Sequence, residues 1–285
     1  MKSAGLKGTV SIELVHEAIH AAALRNMDIS SVLESAKIDR ELLNAPRARI
    51  SAAAYSQMWV ALADLMDDEF FGLDSHGLRR ASYALMTRAA VNADSLAHAL
   101  RRILRFLHAT LDDFRGELVC DGDEARVILH DGGVLRRMFG YGTWFILVHG
   151  LACWLVHRRI PLREMQFRCP PPGDDSHYRT RFCESVKFNG ETTHISFASD
   201  LLDLKIAESP ATVDNFLREA PANLLVKYRN DASTSAQVRN RLRSQMPEAW
   251  PELEKLAQEL CVSGTTLQRR LQQEGLSYQR VKDDL

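Results

Sequence analysis

The stretch "ELEKLAQELCVSGTTLQRRLQQ", Glu252 to Gln273, leaves the chain few ways to fold. Leu253, Leu256, Ala257 and Leu260 recur at i, i+3, i+4 and i+7, which is one face of a short helix. Ser263 is suited to cap a second helix. Leu267 and Leu271 supply that helix's buried stripe, and Gly275 fits its C-terminal end. Only Cys261, Val262 and Ser263 join the two helices. So short a connection cannot lay them antiparallel, so they must cross steeply, and Ala257 is small enough to admit the second helix. The expectation is a helix-turn-helix with Leu253, Ala257, Leu260, Leu267 and Leu271 as its core.

The outward side of the second helix carries Thr265, Gln268, Arg269 and Gln272. These side chains can hydrogen-bond base edges in a major groove, arginine on guanine and glutamine on adenine. Thr266 and Arg270 are placed for phosphates. No carboxylate occurs between Ser263 and Gln273, as a surface meeting phosphate requires. Turn, cap, small residue and basic face agree, and together they favour DNA recognition over an ordinary amphipathic hairpin.

The formal net charge of the 285-residue chain is -1, so any contact with nucleic acid must come from such a local patch rather than from bulk attraction. The five cysteines are scattered and form no C-x-x-C pair, which points to free thiols and neither a zinc knuckle nor a disulfide framework. Charge in "SIELVHEAIH" interrupts any apolar core of a signal peptide near the N-terminus. The one run long enough to raise the question of a membrane is "FGYGTWFILVHGLACWLVH", Phe139 to His157. Its two histidines and early glycines fit a buried core helix better than a span.

Before Gly116 the chain reads as helices, with Val10, Leu14 or Val15, Ile19 and Ala22 at helical spacing. Tyr55, Trp59, Leu62 and Met66 form a second such set, and Leu96, Leu100, Ile103, Leu104 and Leu107 a third that Asp94 or Ser95 would cap. The arginines beside this third set, Arg101, Arg102 and Arg105, belong to a solvated face. After Gly116 the period changes to two. "ELVCDGDEARVILHD" reads as a hairpin and "MQFRCPPPGDD" as a strand ended by prolines. "SVKFNGETTHISFAS" reads as a second hairpin turning at Asn189-Gly190. The polar run Tyr228 to Gln237 reads as a linker, with a boundary near Ser233. The expected fold class is α+β. A mostly helical domain with a small antiparallel sheet of hairpins occupies residues 1–233, and an all-α helix-turn-helix unit occupies 234–285.

Several motifs point toward catalysis. His16-Glu17-x-x-His20 places two imidazoles one turn apart with a carboxylate beside them, as zinc hydrolases do. The extended pattern wants glycine and histidine where Ala23 and Asn26 stand, and Glu41, at a workable separation for a third ligand, belongs to "DRELLNAP", which reads as a helix end before Pro46. A zinc hydrolase is therefore the weakest reading, and an amphipathic helix burying Val15, Ile19 and Ala22 is preferred. "GLDSHG", Gly72 to Gly77, has one residue too many for a nucleophile elbow. "FGYGTW" lacks the third glycine of a dinucleotide fingerprint. Asp67-Asp68, Asp112-Asp113 and Asp174-Asp175 read as solvated turns. No enzyme, metal site or cofactor is expected.

At Ala257, Val262-Ser263, Leu267, "QRRL" (Gln268 to Leu271) and "EGLSYQ" (Glu274 to Gln279) the chain resembles the AraC/XylS family of bacterial transcription regulators. "RRIPLREMQFRCPPP", "VKFNGETTHISFASDLLDLKI" and "YSQMWVALADLMDDEFFGL" extend the resemblance over nearly the whole chain, toward the regulatory domain of one branch. The resemblance implies a domain that binds a small-molecule effector or dimerises, tethered to a DNA-reading domain. It places Thr265, Gln268 and Arg269 at base-contacting positions. Relatives usually carry glycine or asparagine at the turn where Cys261 stands, so cysteine there would cost on the order of 1 kcal/mol if φ is positive. The family has a second helix-turn-helix beyond a joining helix, whereas this sequence stops at "VKDDL"; the expectation is a truncated form. The expected protein is cytoplasmic, homodimeric and effector-responsive. Its partners would be operator or promoter duplex DNA and RNA polymerase, and no membrane. The alternative is a ligand-binding or dimerisation module without independent DNA binding. Effector residues stay unassigned: Trp144, Phe145, His149 and Trp154 are candidate liners, with core packing the favoured role.

Overall fold

A computed structural model of the chain describes residues 9–225, 234–243, 245–246, 249–273 and 276–283. The linker up to Ser233, the domain boundary there and the helix end at Gly275 lie outside the described residues.

Strand β1 (Thr9–Ser11) runs directly into helix α1 (Ile12–Leu24), followed by α2 (Ser30–Ser35). Strand β2 (Arg49–Ser51) pairs antiparallel with β1 and runs into α3 (Ala52–Met66). A serine caps each long helix: Glu13 N donates to Ser11 Oγ at 3.2 Å and Ala54 N to Ser51 Oγ at 3.0 Å. The apolar stripe Val15, Ile19 and Ala22 of α1 is buried with Tyr55, Trp59 and Leu62 of α3 in one cluster. This is the amphipathic helix expected of the His16-Glu17-x-x-His20 segment. His16 bonds the Leu43 carbonyl at 2.8 Å, Glu17 pairs with Arg137, and no group of three metal-binding side chains occurs among the described residues.

Helices α4 (Ser82–Ala90) and α5 (Leu96–Thr110) follow, with Ser95 as the α5 cap. Strands β3 (Arg115–Asp121) and β4 (Glu124–His130) form the expected hairpin, with Ala125, Val127 and Leu129 facing the core. Helix α6 (Met138–Leu155) is the apolar run. It is buried along almost its whole length, so it is the central strut of the fold. Strand β5 (Glu164–Gln166), helix α7 (Ser176–Arg181) and strands β6 (Val186–Lys187) and β7 (Thr193–Ala198) come next, then α8 (Pro210–Glu219) and α9 (Ala222–Leu225).

The large sheet has the order β3-β4-β7-β5-β6, and two expectations need correction. First, β6 and β7 are not a hairpin: β5 lies between them, antiparallel to β7 and parallel to β6, so the sheet is mixed rather than antiparallel throughout. Asn189 does take positive φ, as a turn residue there should, but it turns the chain over β5 instead. Asn189 N and Gly190 N donate to Cys169 O and Phe167 O at 3.1 and 3.0 Å. A Cβ on Gly190 would stand 2.3 Å from Gln166, so glycine lets the crossing come that close. Second, Asp68 is no solvated turn. It is 2% exposed, and its carboxylate accepts Phe70 N, Gly72 N and Leu78 N at 2.7 to 2.8 Å. In the "GLDSHG" loop, buried Asp74 binds His76 N, Asp112 N and Asp113 N, while Ser75 N donates to Asp113; this is a cross-linked turn rather than an elbow.

The C-terminal unit is α10 (Thr234–Arg243), α11 (Leu253–Glu259), α12 (Gly264–Gln273) and α13 (Tyr278–Asp283). It has its own core of Val238, Leu242, Leu256, Ala257, Leu267, Leu271 and Val281. Leu253 and Leu260 pack at the edge of that core.

Candidate functional site

Helix α11 ends in a Schellman motif: Val262 N donates to Ala257 O at 2.9 Å and Cys261 N to Gln258 O at 3.0 Å. Cys261 takes the left-handed conformation, with φ 57°. The chain therefore turns within three residues, and Ser263 opens α12 as a cap, accepting Thr266 N at 3.2 Å. Leu267 and Leu271 are fully buried beneath the helix. Thr265, Gln268, Arg269, Arg270 and Gln272 are exposed, and Thr266 is half-buried. Spacing of i, i+3, i+4 and i+7 puts Thr265, Gln268, Arg269 and Gln272 on one stripe of α12, opposite the leucines. Ser263 Oγ donates to Thr266 Oγ1 at 2.8 Å, so the Thr266 proton is not used in that bond. Neither Arg269 nor Arg270 has an ion-pair partner among the described residues. Glu259, the carboxylate at the end of α11, is held by Arg241 at 2.6 Å.

Two cavities lie at the other end of the described chain. An open cleft of about 610 Å³ runs between α1 and the segments around Arg136–Phe139 and Cys169–Tyr178. Its charged rim is internally paired: Arg137 holds Glu17, and Arg136 holds Asp113 at 3.1 Å. A smaller, mainly apolar cavity of about 90 Å³ lies behind it, lined by Tyr55, Trp59, Phe139, Thr143, Ile146 and Arg181 among others. Leu14, Phe139, His177 and Tyr178 wall both spaces. Ser11 N donates to His177 Nε2 at 3.3 Å, which assigns the ring proton to Nδ1. Burial, with Arg49 nearby, pushes the His177 pKa down, so the ring is neutral. Trp144, Phe145, His149 and Trp154 are buried in the core and line neither space. The cavity meets a different face of the same helix α6. His149 donates from Nε2 to Ile160 O at 2.9 Å, and burial with Arg181 nearby depresses its pKa to about 3.

The sequence profile of the arabinose-binding domain at the N-terminus of AraC transcription regulators matches residues 27–206. This chain belongs to the AraC family. The ornithine utilization regulator of Pseudomonas aeruginosa is 26% identical over 259 residues, covering 90% of this chain and 76% of that protein. Among solved structures, the transcriptional regulator CdpR from Pseudomonas aeruginosa aligns over 96% of this chain and 82% of its own at 17% identity, with a TM-score of 0.35. An AraC regulator is a transcription factor rather than an enzyme, so the zinc-hydrolase reading falls. The profile takes in α6 and α7, which build the cavity walls, while α12 lies beyond it. Arg181, Thr143 and His177 went unmarked in the sequence. Nothing in composition or spacing separates one arginine that turns inward from the others that stay in water.

Proposed function

We propose that this AraC regulator reads duplex DNA with α12, and that residues 1–233 sense a small molecule while residues 234–285 hold the DNA-reading unit. One observation carries the reading. The Thr265, Gln268, Arg269, Gln272 stripe is exposed, and its arginine has no ion-pair partner among the described residues, opposite the buried Leu267 and Leu271. Arg269 would take guanine, Gln268 and Gln272 adenine, and Thr265 either base. Arg270 and Thr266 would hold phosphates and set the register. The division of labour is supported by the cores, since the residues of the C-terminal cluster belong to neither of the other two. Acting in the cytoplasm as a homodimer, the protein would place two such helices on half-sites about one helical turn apart.

Footprinting on the DNA upstream of the gene tests this, with salt varied. The expected result is a protected region of two half-sites whose affinity falls linearly with salt on logarithmic axes. Absence of any sequence-dependent protection at low salt overturns the reading.

A further inference from the structure

Buried charges in this fold are generally answered inside it. Asp131 is paired with Arg168, and Asp68 and Asp74 are wrapped by backbone N–H groups. Arg181 is different. It is 8% exposed, and Nε and Nη2 both donate to a single carbonyl, Leu224 O, at 3.1 and 2.8 Å. The guanidinium lies 5.3 Å from the centroid of the Phe182 ring, but among the described residues no carboxylate pairs with it and Nη1 has no hydrogen-bond partner. Leaving a buried guanidinium so poorly matched is costly unless something else supplies the negative charge.

The 90 Å³ cavity on whose wall Arg181 stands has the same imbalance. Trp59 and Thr143, 3% and 1% exposed, also line it, and neither Trp59 Nε1 nor Thr143 Oγ1 has a hydrogen-bond partner among the described residues. The Tyr55 hydroxyl is already spent on Leu14 O at 3.3 Å. No aspartate or glutamate lines the space; His177 and Tyr178 stand on the side toward the open cleft, and Phe139, Ile146, Phe182 and Leu225 give it an apolar surface. Three such donors around a space that no carboxylate lines call for a group that only accepts and is negative. A single cation suits a single charge, and a planar fork suits two oxygens side by side.

We propose that this cavity binds the carboxylate of a small apolar acid, with Arg181 as its counter-ion, Thr143 and Trp59 as further donors, and the chain of the acid against Phe139 and Ile146. The proposal rests on the sensing role given above to residues 1–233 and names the chemical class sensed. Because the deep space is small, the acid is short or reaches past the Leu14, Phe139, His177 and Tyr178 wall into the open cleft.

The test is calorimetric titration of the chain with butanoate and hexanoate, and with butanamide and hexanamide as neutral counterparts. Carboxylate should bind and raise the melting temperature, while the amides should not. Arg181→Gln keeps donors for Leu224 O and should weaken carboxylate binding by about tenfold or more, the loss expected for a hydrogen bond to a charged group. Arg181→Lys should restore part of it. Thr143→Val exchanges an unpaired buried hydroxyl for a methyl of the same shape, so the fold should hold while carboxylate affinity falls several-fold. Equal binding of amides, carboxylate affinity unchanged in both Arg181→Gln and Thr143→Val, or no binding of either acid overturns the proposal. Footprinting run alongside separates the two readings. Protection without acid binding keeps the DNA reading and removes this one, and acid binding without protection does the reverse.

Discussion

At the scale of single residues, Cys261 and Asp68 show how local geometry constrains side-chain choice. Cys261 sits at the position of a Schellman motif where only glycine is free of strain, with φ 57°. Cys261→Gly should therefore stabilise the C-terminal unit by about 0.5–1 kcal/mol, relief of the left-handed strain outweighing the extra backbone entropy glycine loses. Thermal melts of the two proteins measure this, and a destabilised glycine variant would show that the cysteine side chain contributes packing instead. Asp68→Ala strips three N–H donors, two of them buried, of their acceptor and should cost at least about 2 kcal/mol. Asp68→Asn, which keeps one acceptor oxygen, should fall between; equal melting of all three proteins would remove Asp68 from this role. Arg269→Ala should cost about 1–3 kcal/mol of DNA binding and relax one base position. Uniform weakening on every operator variant would instead make Arg269 a phosphate contact.

At the scale of elements, what could be read from the sequence was whatever local periodicity decides. The α1, α3 and α5 stripes, the β3–β4 hairpin and the α11-turn-α12 corner are each set by residues within a few positions of one another. The placement of β5 between β6 and β7 is not, because it depends on a pairing across the chain that a period of two fits equally well either way. Helix α10 was likewise hidden, and of the deep site Val10, Leu14, Tyr55 and Trp59 stood in recognised stripes, with no sign that they would meet around a cavity or that the Trp59 indole would go unpartnered. Polar residues dominate α10, yet Val238 and Leu242 close the floor under Leu267 and Leu271, and Trp250 Nε1 donates to Leu242 O at 3.0 Å. Leu242→Ala should therefore destabilise the unit by about 2–5 kcal/mol and cost DNA binding without touching the exposed face of α12. Circular dichroism melts paired with footprinting check this, and unchanged melting would mean that the unit does not need α10.

At the scale of the molecule, His149 ties stability to pH. Its folded pKa of about 3 lies below the unfolded value near 6.5, so the unfolded chain binds the extra proton between them. Stability from this group is complete above about pH 6.5 and declines as pH falls, reaching a loss of about 2 kcal/mol near pH 5. His149→Gln, which keeps a donor for Ile160 O, should flatten melting temperature against pH over that window; an unchanged slope would assign the effect elsewhere. Helix α6 has a further consequence. Its Phe139 belongs to the N-terminal cluster while the rest of its buried face belongs to the main one, and the deep cavity lies along the seam where those clusters meet. The acid proposed above would work as mortar between two courses of masonry. Without the acid the α1–α3 layer should loosen before the sheet does, and heating should show two steps; with it the courses should fail together in one.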